Sequence, residues 1–192
     1  PCKYKDFRLD VALSIYPSEE IFDMIIDGAW NNGEPGLVFL DTINLDNRIK
    51  SKYGDMIATN PCGEQPLLPN ESCNLGSIDV AKFVIEDAAG LADIDWERLG
   101  ASIRLATRML DNVIDANKYA VDAIEDMTRN TRKLGLGLMG FADMLVQLGI
   151  PYDTEEAIET GRKLMRFIME QADIESLAMA EERGPFPAGH DS

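Results

Sequence analysis

The chain has 192 residues, of which 45% are apolar and 27% are charged, and its formal net charge is −16. This composition is typical of a soluble globular chain with a core of domain size, and the lack of any apolar run of about 20 residues excludes a transmembrane helix. The acidic balance argues against nucleic-acid binding, which needs clustered lysines and arginines, but leaves a nucleotide substrate open because helix N-termini can hold phosphate.

The cysteine and histidine content predicts neither a metal site nor a disulfide scaffold. The chain contains three cysteines without a C-x-x-C pair and a single histidine, His190, which is too few ligands for a structural zinc site. Because the N-terminus does not resemble a signal peptide, the odd number of thiols indicates a reducing cytoplasm. Cys2 is interpreted as a spare thiol near a chain end.

The first predicted element is a helix from about residue 19 to 31, since residues 1–17 show no clear pattern. Ser18 is the predicted N-cap. Apolar residues recur at helical spacing along this segment, at Ile21, Phe22, Ile25, Ile26, Ala29 and Trp30. The Asn-Gly-Glu-Pro-Gly sequence at 32–36 predicts a turn, and the apolar run at 37–40 predicts a buried strand. Helix, turn and strand in this order indicate an α/β fold.

Residues 45–56 are polar and predict a loop or short helix, and residues 59–70 predict a stiff extended loop. The prolines in the second segment fix φ, remove backbone donors and favour extended geometry in the residues before them. In an extended chain, side chains two positions apart point to the same side. Asn60, Cys62 and Glu64 are therefore expected to converge, and Gly63 leaves room for another molecule to approach.

The surroundings of Cys62 limit its chemistry. A thiolate nucleophile usually needs an imidazole, a cation or a helix N-terminus, and no such side chain is near Cys62 in the sequence. Glu64 is a poor base for a thiol, and its charge would raise the thiol pKa. A neutral thiol favours redox chemistry or hydrogen-atom transfer. In the second case Glu64 would take a proton from a substrate hydroxyl, and Asn60 would hydrogen-bond the same substrate.

The chain after residue 72 predicts one buried strand followed mainly by helices. Alternation over the strand at 73–80 places Cys73 and Ser77 on one face and Asn74 on the other. An acidic connection at 83–93 leads to an amphipathic helix from about 95 to 116, and a shorter polar segment reaches about 128. Two more helices are predicted, one over about 140–148 and one from a capping sequence at 153–156 to about 183.

A glycine pattern at residues 135–140 suggests a competing function. Gly135, Gly137 and Gly140 satisfy G-x-G-x-x-G, and Glu155 lies downstream, as in dinucleotide-binding folds. That pattern should follow an apolar strand, yet residues 126–133 are polar and the glycines lie inside the apolar run itself. A nicotinamide-dependent oxidoreductase is therefore a weaker alternative.

One long ungapped segment resembles a known enzyme family. The sequence Asn60-Pro-Cys-Gly-Glu-Gln-Pro-Leu-Leu-Pro69, followed by Glu71-Ser-Cys-Asn-Leu-Gly-Ser-Ile78, closely resembles the active-site segment of adenosylcobalamin-dependent (class II) ribonucleotide reductases. The wider Asn-x-Cys-x-Glu pattern is shared with class I catalytic subunits, whereas the Gly-Glu-Gln-Pro-Leu-Leu-Pro continuation is similar to class II. Residues 33–44 and 135–143 also resemble this family, and the resemblance covers about residues 20–187.

The resemblance implies roles for three residues of the first segment. Cys62 resembles the thiyl-radical cysteine that removes the ribose 3′ hydrogen. Glu64 resembles the base that takes the 3′-hydroxyl proton, and Asn60 resembles the amide that holds the ribose hydroxyls.

The resemblance also implies an α/β fold that is part of a ten-stranded reductase barrel. Residues 1–192 would form a single segment of that barrel, with a finger loop at about 59–71 threading its centre. Cys73 resembles one of two cysteines that reduce the substrate and end as a disulfide, and Asn74 and Ser77 are weaker substrate-binding candidates. The glycines at 135–140 would allow a barrel strand to pack closely on a helix.

The cofactor and partners implied by the resemblance are adenosylcobalamin, a ribonucleoside di- or triphosphate and a thioredoxin-type reductant. The sequence shows no partner for Cys73, no downstream phosphate-binding turn and no C-terminal cysteine pair. The chain is therefore expected to be inactive without the missing remainder of the reductase or a complementary polypeptide. The alternative is a degenerate, non-catalytic fragment that serves only as a structural or binding module.

Overall fold

The computed structural model describes residues 2–6 and 11–191 of the chain, and the side chains of residues 16–189. These residues belong to two compact units, Pro1–Ile43 and Asn44–Ser192. The expectation for the Cys2 thiol lies outside the described side chains.

The first unit contains a two-stranded sheet and a helix. β1 (Cys2–Asp6) runs antiparallel to β2 (Val11–Tyr16), and α1 (Ser18–Asn32) confirms the helix predicted at about 19–31. The prediction of Ser18 as the N-cap is wrong, because Ser18 is already helical, Pro17 occupies the cap position, and no side chain bonds the free amides. Gly33 ends the helix in the left-handed region, with φ 86°, as the predicted turn requires.

The buried strand predicted at residues 37–40 is not formed. Residues 34–39 have no regular secondary structure, and Leu40 begins the one-turn helix α2 (Leu40–Ile43). Leu37 and Phe39 are 58% and 68% exposed. An apolar run becomes a buried strand only where a neighbouring strand satisfies its backbone groups, and no strand in the described part of the chain pairs with this run.

The second unit contains the remaining elements. It begins with the one-turn helix α3 (Lys50–Tyr53) and two short strands, β3 (Ala58–Thr59) and β4 (Pro66–Leu67). The longer strand β5 (Asn74–Asp79) follows, and β6 (Val84–Glu86) and β7 (Ala92–Ile94) form an antiparallel pair within the predicted acidic connection. The other elements are α4 (Trp96–Ala116), α5 (Asp122–Thr131), β8 (Leu134–Met139), α6 (Phe141–Leu148) and α7 (Glu155–Arg183).

The two long helices begin at side-chain caps. The Asp95 carboxylate accepts a hydrogen bond from the Arg98 amide at 3.0 Å at the start of α4. The Thr154 hydroxyl accepts one from the Ala157 amide at 3.3 Å at the start of α7. Each cap satisfies a backbone donor that has no partner inside the helix, and both helices confirm the predicted segments.

The core of the second unit lies between α4, α6, α7 and the short strands. The Trp96 ring of α4 packs edge-on against Phe167 of α7, with ring centroids 4.9 Å apart. Buried apolar side chains fill the space between the elements; they are Val80, Phe83, Ile94, Leu99, Ile103, Met144, Leu164 and Ile168. Burial of such side chains is the main term that stabilises a unit of this size.

β5 and β8 are adjacent parallel strands with Leu75 opposite Gly135, which confirms the strand predicted at 73–80. Its predicted burial is wrong, because no residue of β5 is fully buried. Helix α4 covers one face of this pair, since a Cβ atom added to Gly76 would lie 3.4 Å from Leu110. The opposite face carries Leu75 and Ser77, and both are exposed. The pair therefore has one face packed on a helix and one face open.

The glycine pattern at residues 135–140 does not form a dinucleotide-binding turn. Gly135 and Gly137 lie inside β8, and only Gly140, with φ 74°, precedes helix α6. The expectation that these glycines serve strand–helix packing is wrong for the first two. A side chain at either position would meet Leu75 or Ser77 of the neighbouring strand, and not a helix.

Short strands that alternate with helices confirm the α/β class. The described strands form four two-stranded sheets, so in this part of the chain the β5–β8 pair has no third strand beside it. Among the described residues, no helix combines the length and apolar character needed to cross a bilayer.

Candidate active site

The residues predicted to converge lie on a β-hairpin and not on an extended loop. β3 pairs with β4 in antiparallel register, so residues 60–65 form the connecting turn. The Gly63 amide donates to the Asn60 carbonyl at 3.0 Å, and Pro61 and Gly63 occupy turn positions that these residue types favour. The extended geometry is correct for the two arms and wrong for the tip, where Cys62 and Glu64 lie.

Asn60 closes the turn with its side chain. Its Oδ1 atom accepts a hydrogen bond from the Gln65 amide at 2.9 Å, and its own backbone amide donates to the Gln65 carbonyl at 3.1 Å. An asparagine that bonds the backbone in this way favours turns. The structural role was not anticipated, although the sequence Asn-Pro-x-Gly carries the signal for a turn.

Cys62 and Glu64 are exposed at the tip of the hairpin, and Cys62 is a free thiol. Gly63 has φ 84°, and a Cβ atom at this position would meet no atom within 4 Å. The Glu64 carboxylate lies close enough to Cys73 for its charge to raise the pKa of that thiol. The charge of Glu64 thus contributes to the raised pKa of the second predicted functional cysteine, which belongs to a different segment.

Cys73 is half-buried just before β5, where its Sγ atom donates weakly to the Asn74 carbonyl at 3.4 Å. Burial raises the pKa of the Cys73 thiol above its ordinary value, the charge of Lys133 lowers it, and the carboxylates of Glu71 and Glu64 raise it. The net shift is upward because burial disfavours the thiolate. Cys73 is therefore held as a neutral thiol at neutral pH.

Lys133 and Glu71 form an ion pair that sequence reasoning missed. The Lys133 Nζ atom lies 2.7 Å from Oε2 of Glu71 and donates to the Pro66 carbonyl at 2.8 Å. The same Glu71 oxygen accepts a hydrogen bond from the Leu68 amide at 2.8 Å. Only the parallel register of β5 and β8 places residue 133 beside residue 73, and that long-range pairing is not visible in a single sequence.

Two further contacts fix the segments beside the cysteine. The Ser72 and Thr128 hydroxyls are 2.7 Å apart and link the residue before Cys73 to α5. Arg132, with φ 46°, ends α5 and bonds Oδ1 of Asp111 at 2.8 Å and Oδ1 of Asp115 at 2.9 Å. These contacts hold the start of β8 on helix α4.

The family described as "Ribonucleotide reductase, barrel domain" matches residues 3–191. The chain belongs to this family. The segment that carries the hairpin and the two cysteines lies inside the matched range.

Curated relatives of this reductase-family chain are longer proteins. A vitamin B12-dependent ribonucleoside-diphosphate reductase of Thermoplasma acidophilum is 55% identical over 91% of this chain, which spans 22% of that protein. A reductase of the same name from Mycobacterium tuberculosis is 49% identical over 92% of this chain, which spans 25% of it. The chain therefore spans about a quarter or less of the length of these relatives.

A solved structure supports the fold of the reductase-family chain. The class Id ribonucleotide reductase alpha subunit of Actinobacillus ureae superposes with a TM-score of 0.75 at 22% identity, and the match covers 90% of this chain and 34% of that subunit. At this identity the likeness concerns the fold alone. It agrees with the reductase barrel fold expected from the sequence.

Asn74 and Ser77, the two weaker substrate-binding candidates, lie on opposite faces of β5. The Asn74 Nδ2 group donates to the Leu110 carbonyl of α4 at 2.7 Å, so this amide has a structural contact on the covered face. Its Oδ1 atom is buried and has no hydrogen-bond partner among the described residues. Ser77 is exposed on the open face, on the same side as Cys73.

Proposed function

We propose that this chain is the part of a vitamin B12-dependent ribonucleotide reductase that carries the radical cysteine, Cys62, and one reducing cysteine, Cys73. The observation that carries the proposal is the link between the hairpin and the segment before Cys73, which Lys133 joins through the Pro66 carbonyl and Glu71. The exposed free thiol of Cys62 lies at the tip of the hairpin. The charge of the neighbouring Glu64 carboxylate raises the pKa of the half-buried Cys73 thiol, which lies just before β5.

The proposed chemistry assigns one role to each group. Cys62, as a thiyl radical, removes the 3′ hydrogen atom of the ribose, and Glu64 takes the proton of the 3′ hydroxyl. The 2′ hydroxyl leaves as water, while Cys73 and a second cysteine, supplied elsewhere in the reductase, give up two electrons and two protons and form a disulfide. Cys62 then returns the hydrogen atom to C3′ and becomes a thiyl radical again, and Glu64 returns the proton to the 3′ oxygen. The product is a 2′-deoxyribonucleotide for DNA synthesis.

Asn60, Asn74 and Ser77 are proposed to position the substrate. The Oδ1 atom of Asn60 is used within the turn, so its amide N–H groups are the part that can reach a ribose hydroxyl. Ser77 offers a hydroxyl on the open face. Asn74 combines its contact to α4 with a buried carbonyl oxygen that can still accept a hydrogen bond.

The exposed thiol at the hairpin tip is compatible with adenosylcobalamin. Cys62 is exposed, and the space beside Gly63 is open, so a bulky cofactor can approach the sulfur. When bound, this cofactor supplies a 5′-deoxyadenosyl radical that can accept a hydrogen atom from a thiol. In this proposal, this chain provides the thiol of Cys62, which would give a hydrogen atom to that radical.

The proposed partners follow from the names of the relatives and from the chemistry. The substrate is a ribonucleoside diphosphate, as in the names of the two curated relatives. A thioredoxin-type reductant reduces the disulfide formed by Cys73 back to two thiols, and the rest of the reductase completes the barrel. A cytoplasmic location is proposed, because reduction of this disulfide needs a reducing compartment.

The test is a set of cysteine variants in the complete reductase polypeptide that carries these residues. It is assayed with adenosylcobalamin, a ribonucleoside diphosphate and a dithiol reductant. Cys62→Ala is expected to abolish deoxynucleotide formation, and Cys73→Ser is expected to block multiple turnovers. Cys2→Ala is the matched control and should retain activity.

Two results would contradict the proposal. Full activity of Cys62→Ala would remove the radical assignment, because no other group at the hairpin tip can give up a hydrogen atom to the cofactor. Robust product formation by residues 1–192 alone would show that this segment does not need the rest of a reductase.

A further inference from the structure

Three segments of the chain meet at the ion pair of Lys133 and Glu71. Lys133 immediately precedes β8, and its ammonium group donates to the Pro66 carbonyl of β4 at 2.8 Å and to Oε2 of Glu71 at 2.7 Å. Glu71 in turn accepts the Leu68 amide at 2.8 Å, and its own amide donates to the Leu68 carbonyl at 3.1 Å. The pair therefore connects β8 to the hairpin and to the turn between the hairpin and Cys73.

The ion pair is buried, so loss of either member is expected to be costly. The Glu71 side chain is 0% exposed and the Lys133 side chain is 17% exposed. A charge removed from water needs a partner, and loss of one member of a buried pair leaves the other uncompensated. The second Glu71 oxygen, Oε1, is buried with no hydrogen-bond partner among the described residues, so Lys133 is the cation on which this carboxylate depends.

The hairpin has little internal support. Each of its strands has two residues, and they make two residue pairs. A hairpin of this size is not stable alone in water. The contacts at its base therefore matter for its position, and there the Lys133 ammonium donates to the Pro66 carbonyl.

We propose that Lys133 is a positioning residue, which through Glu71 and the Pro66 carbonyl fixes the base of the Cys62 hairpin relative to the Cys73 segment. This inference rests on the proposed function for its catalytic meaning, but its geometric content concerns only the hairpin and the Cys73 segment. In this role Lys133 touches neither substrate nor cofactor.

The same group of charges provides an independent readout. The charged side chains that act on Cys73 are Lys133, Glu71 and Glu64, of which only Lys133 is positive. Loss of the lysine charge should raise the pKa of the Cys73 thiol further, and loss of the Glu71 charge should lower it. A residue that only filled space would change neither value.

The experiment uses the complete reductase polypeptide without cofactor or substrate. Lys133→Met removes the charge and keeps the aliphatic stem, Lys133→Arg keeps the charge, and Lys82→Met is the control because Lys82 is exposed. Hydrogen exchange of the backbone amides at residues 60–68 and alkylation of Cys73 as a function of pH are measured by mass spectrometry.

In Lys133→Met, the amides of residues 60–68 should exchange at least about tenfold faster, because the base of the hairpin is released. The alkylation midpoint of Cys73 should move to higher pH. Lys133→Arg should retain most of the protection, and Lys82→Met should match the unmodified protein in both measurements. Unchanged exchange and an unchanged midpoint in Lys133→Met would overturn the proposal.

A second variant covers the case in which Lys133→Met does not fold. Glu71→Gln keeps the side-chain volume and removes the charge that Lys133 pairs with. It should accelerate exchange in the same amides and move the Cys73 midpoint to lower pH, opposite to the lysine variant. Retention of both values in Glu71→Gln would equally overturn the positioning role.

These readouts separate the inference from the proposed function. Altered exchange in a polypeptide that forms no deoxynucleotide would keep the positioning role and overturn the reductase assignment. If the reductase is active but its Lys133→Met variant keeps the hairpin protection and the Cys73 midpoint, the reductase assignment is kept and the positioning role is overturned.

Discussion

A Cβ atom added to Gly135 would lie 3.2 Å from the Sγ atom of Cys73. The glycine of β8 therefore leaves the space next to the sulfur that any side chain would occupy. The same Cβ atom would lie 2.1 Å from Cδ2 of Leu75 and 3.4 Å from the Asn74 carbonyl oxygen. The glycine at this position serves the open face of the sheet, where the proposed chemistry takes place.

Gly135→Ala should therefore impair both stability and turnover of the complete reductase. Leu75 must change rotamer and the Cys73 sulfur must shift by a few tenths of an ångström, and overpacking of this kind costs about 1–3 kcal/mol. Denaturant unfolding measures the stability, and single-turnover formation of deoxynucleotide measures the chemistry.

Gly36→Ala is the matched control for this prediction. Gly36 does not have positive φ, and a Cβ atom there would meet nothing within 4 Å. The change should alter stability by less than about 1 kcal/mol. If Gly135→Ala lost no more stability and turnover than this control, the space beside Cys73 would not require a glycine at position 135.

The raised pKa of Cys73 predicts a loss of stability at alkaline pH. A group that binds its proton more tightly in the folded state contributes stability that is complete below its ordinary pKa, about 8.5 for a thiol. The contribution is lost as the pH rises through the raised value. The unfolding midpoint of the complete reductase should therefore fall more steeply above about pH 8.5 than that of Cys73→Ser.

The comparison with Cys73→Ser is needed because lysines and tyrosines also titrate in this range. Those groups are the same in both proteins, so the difference between the two pH profiles reports Cys73. Parallel profiles would mean that burial does not raise the pKa of this thiol.

The elements that were predicted correctly are those with local signals. Helices α4 and α7 combine an apolar stripe with a capping side chain, Asp95 or Thr154, and both signals lie within the helix and its cap. β5 was predicted from a segment whose side chains alternate between two faces. The apolar run at 37–40 was also predicted as a strand, but no described strand pairs with it, and periodicity cannot report whether a partner strand exists.

The geometry of the candidate segment was not predicted correctly. Asn60, Cys62 and Glu64 lie close together in the sequence, but the extended chain assumed for them is a turn closed by the Gly63 amide. The contact of Lys133 with Pro66 joins residues 67 positions apart. It depends on the parallel register of β5 and β8, which is a property of the fold and has no local sequence signal.

Arg132 is expected to contribute strongly to stability. Its side chain is 18% exposed and pairs with Asp111, whose side chain is 11% exposed, at 2.8 Å. Arg132→Ala leaves this carboxylate with Arg183 as its remaining partner, at 2.9 Å, and should cost about 3 kcal/mol. Denaturant unfolding of the complete reductase measures the loss.

An exposed arginine provides the comparison. Arg162 is 60% exposed and pairs with Glu155 and Glu159 on the surface of α7 at 3.5 and 3.3 Å. Arg162→Ala should cost less than about 1 kcal/mol, because surface pairs are screened by water. Equal losses in the two variants would mean that burial adds nothing to the Arg132 pair.

Substitutions of Gly63 separate backbone strain from access to Cys62. Gly63 has φ 84° and open space around its Cβ position, so Gly63→Ala is strained and should destabilise the hairpin by about 1–2 kcal/mol. Asparagine tolerates left-handed backbone better than alanine, but it is larger. Gly63→Asn should therefore retain more amide protection at residues 60–65 than Gly63→Ala, and yet lose more turnover, because its side chain occupies the approach to the thiol. If activity followed hairpin protection in both variants, the space beside Gly63 would have no part in the reaction.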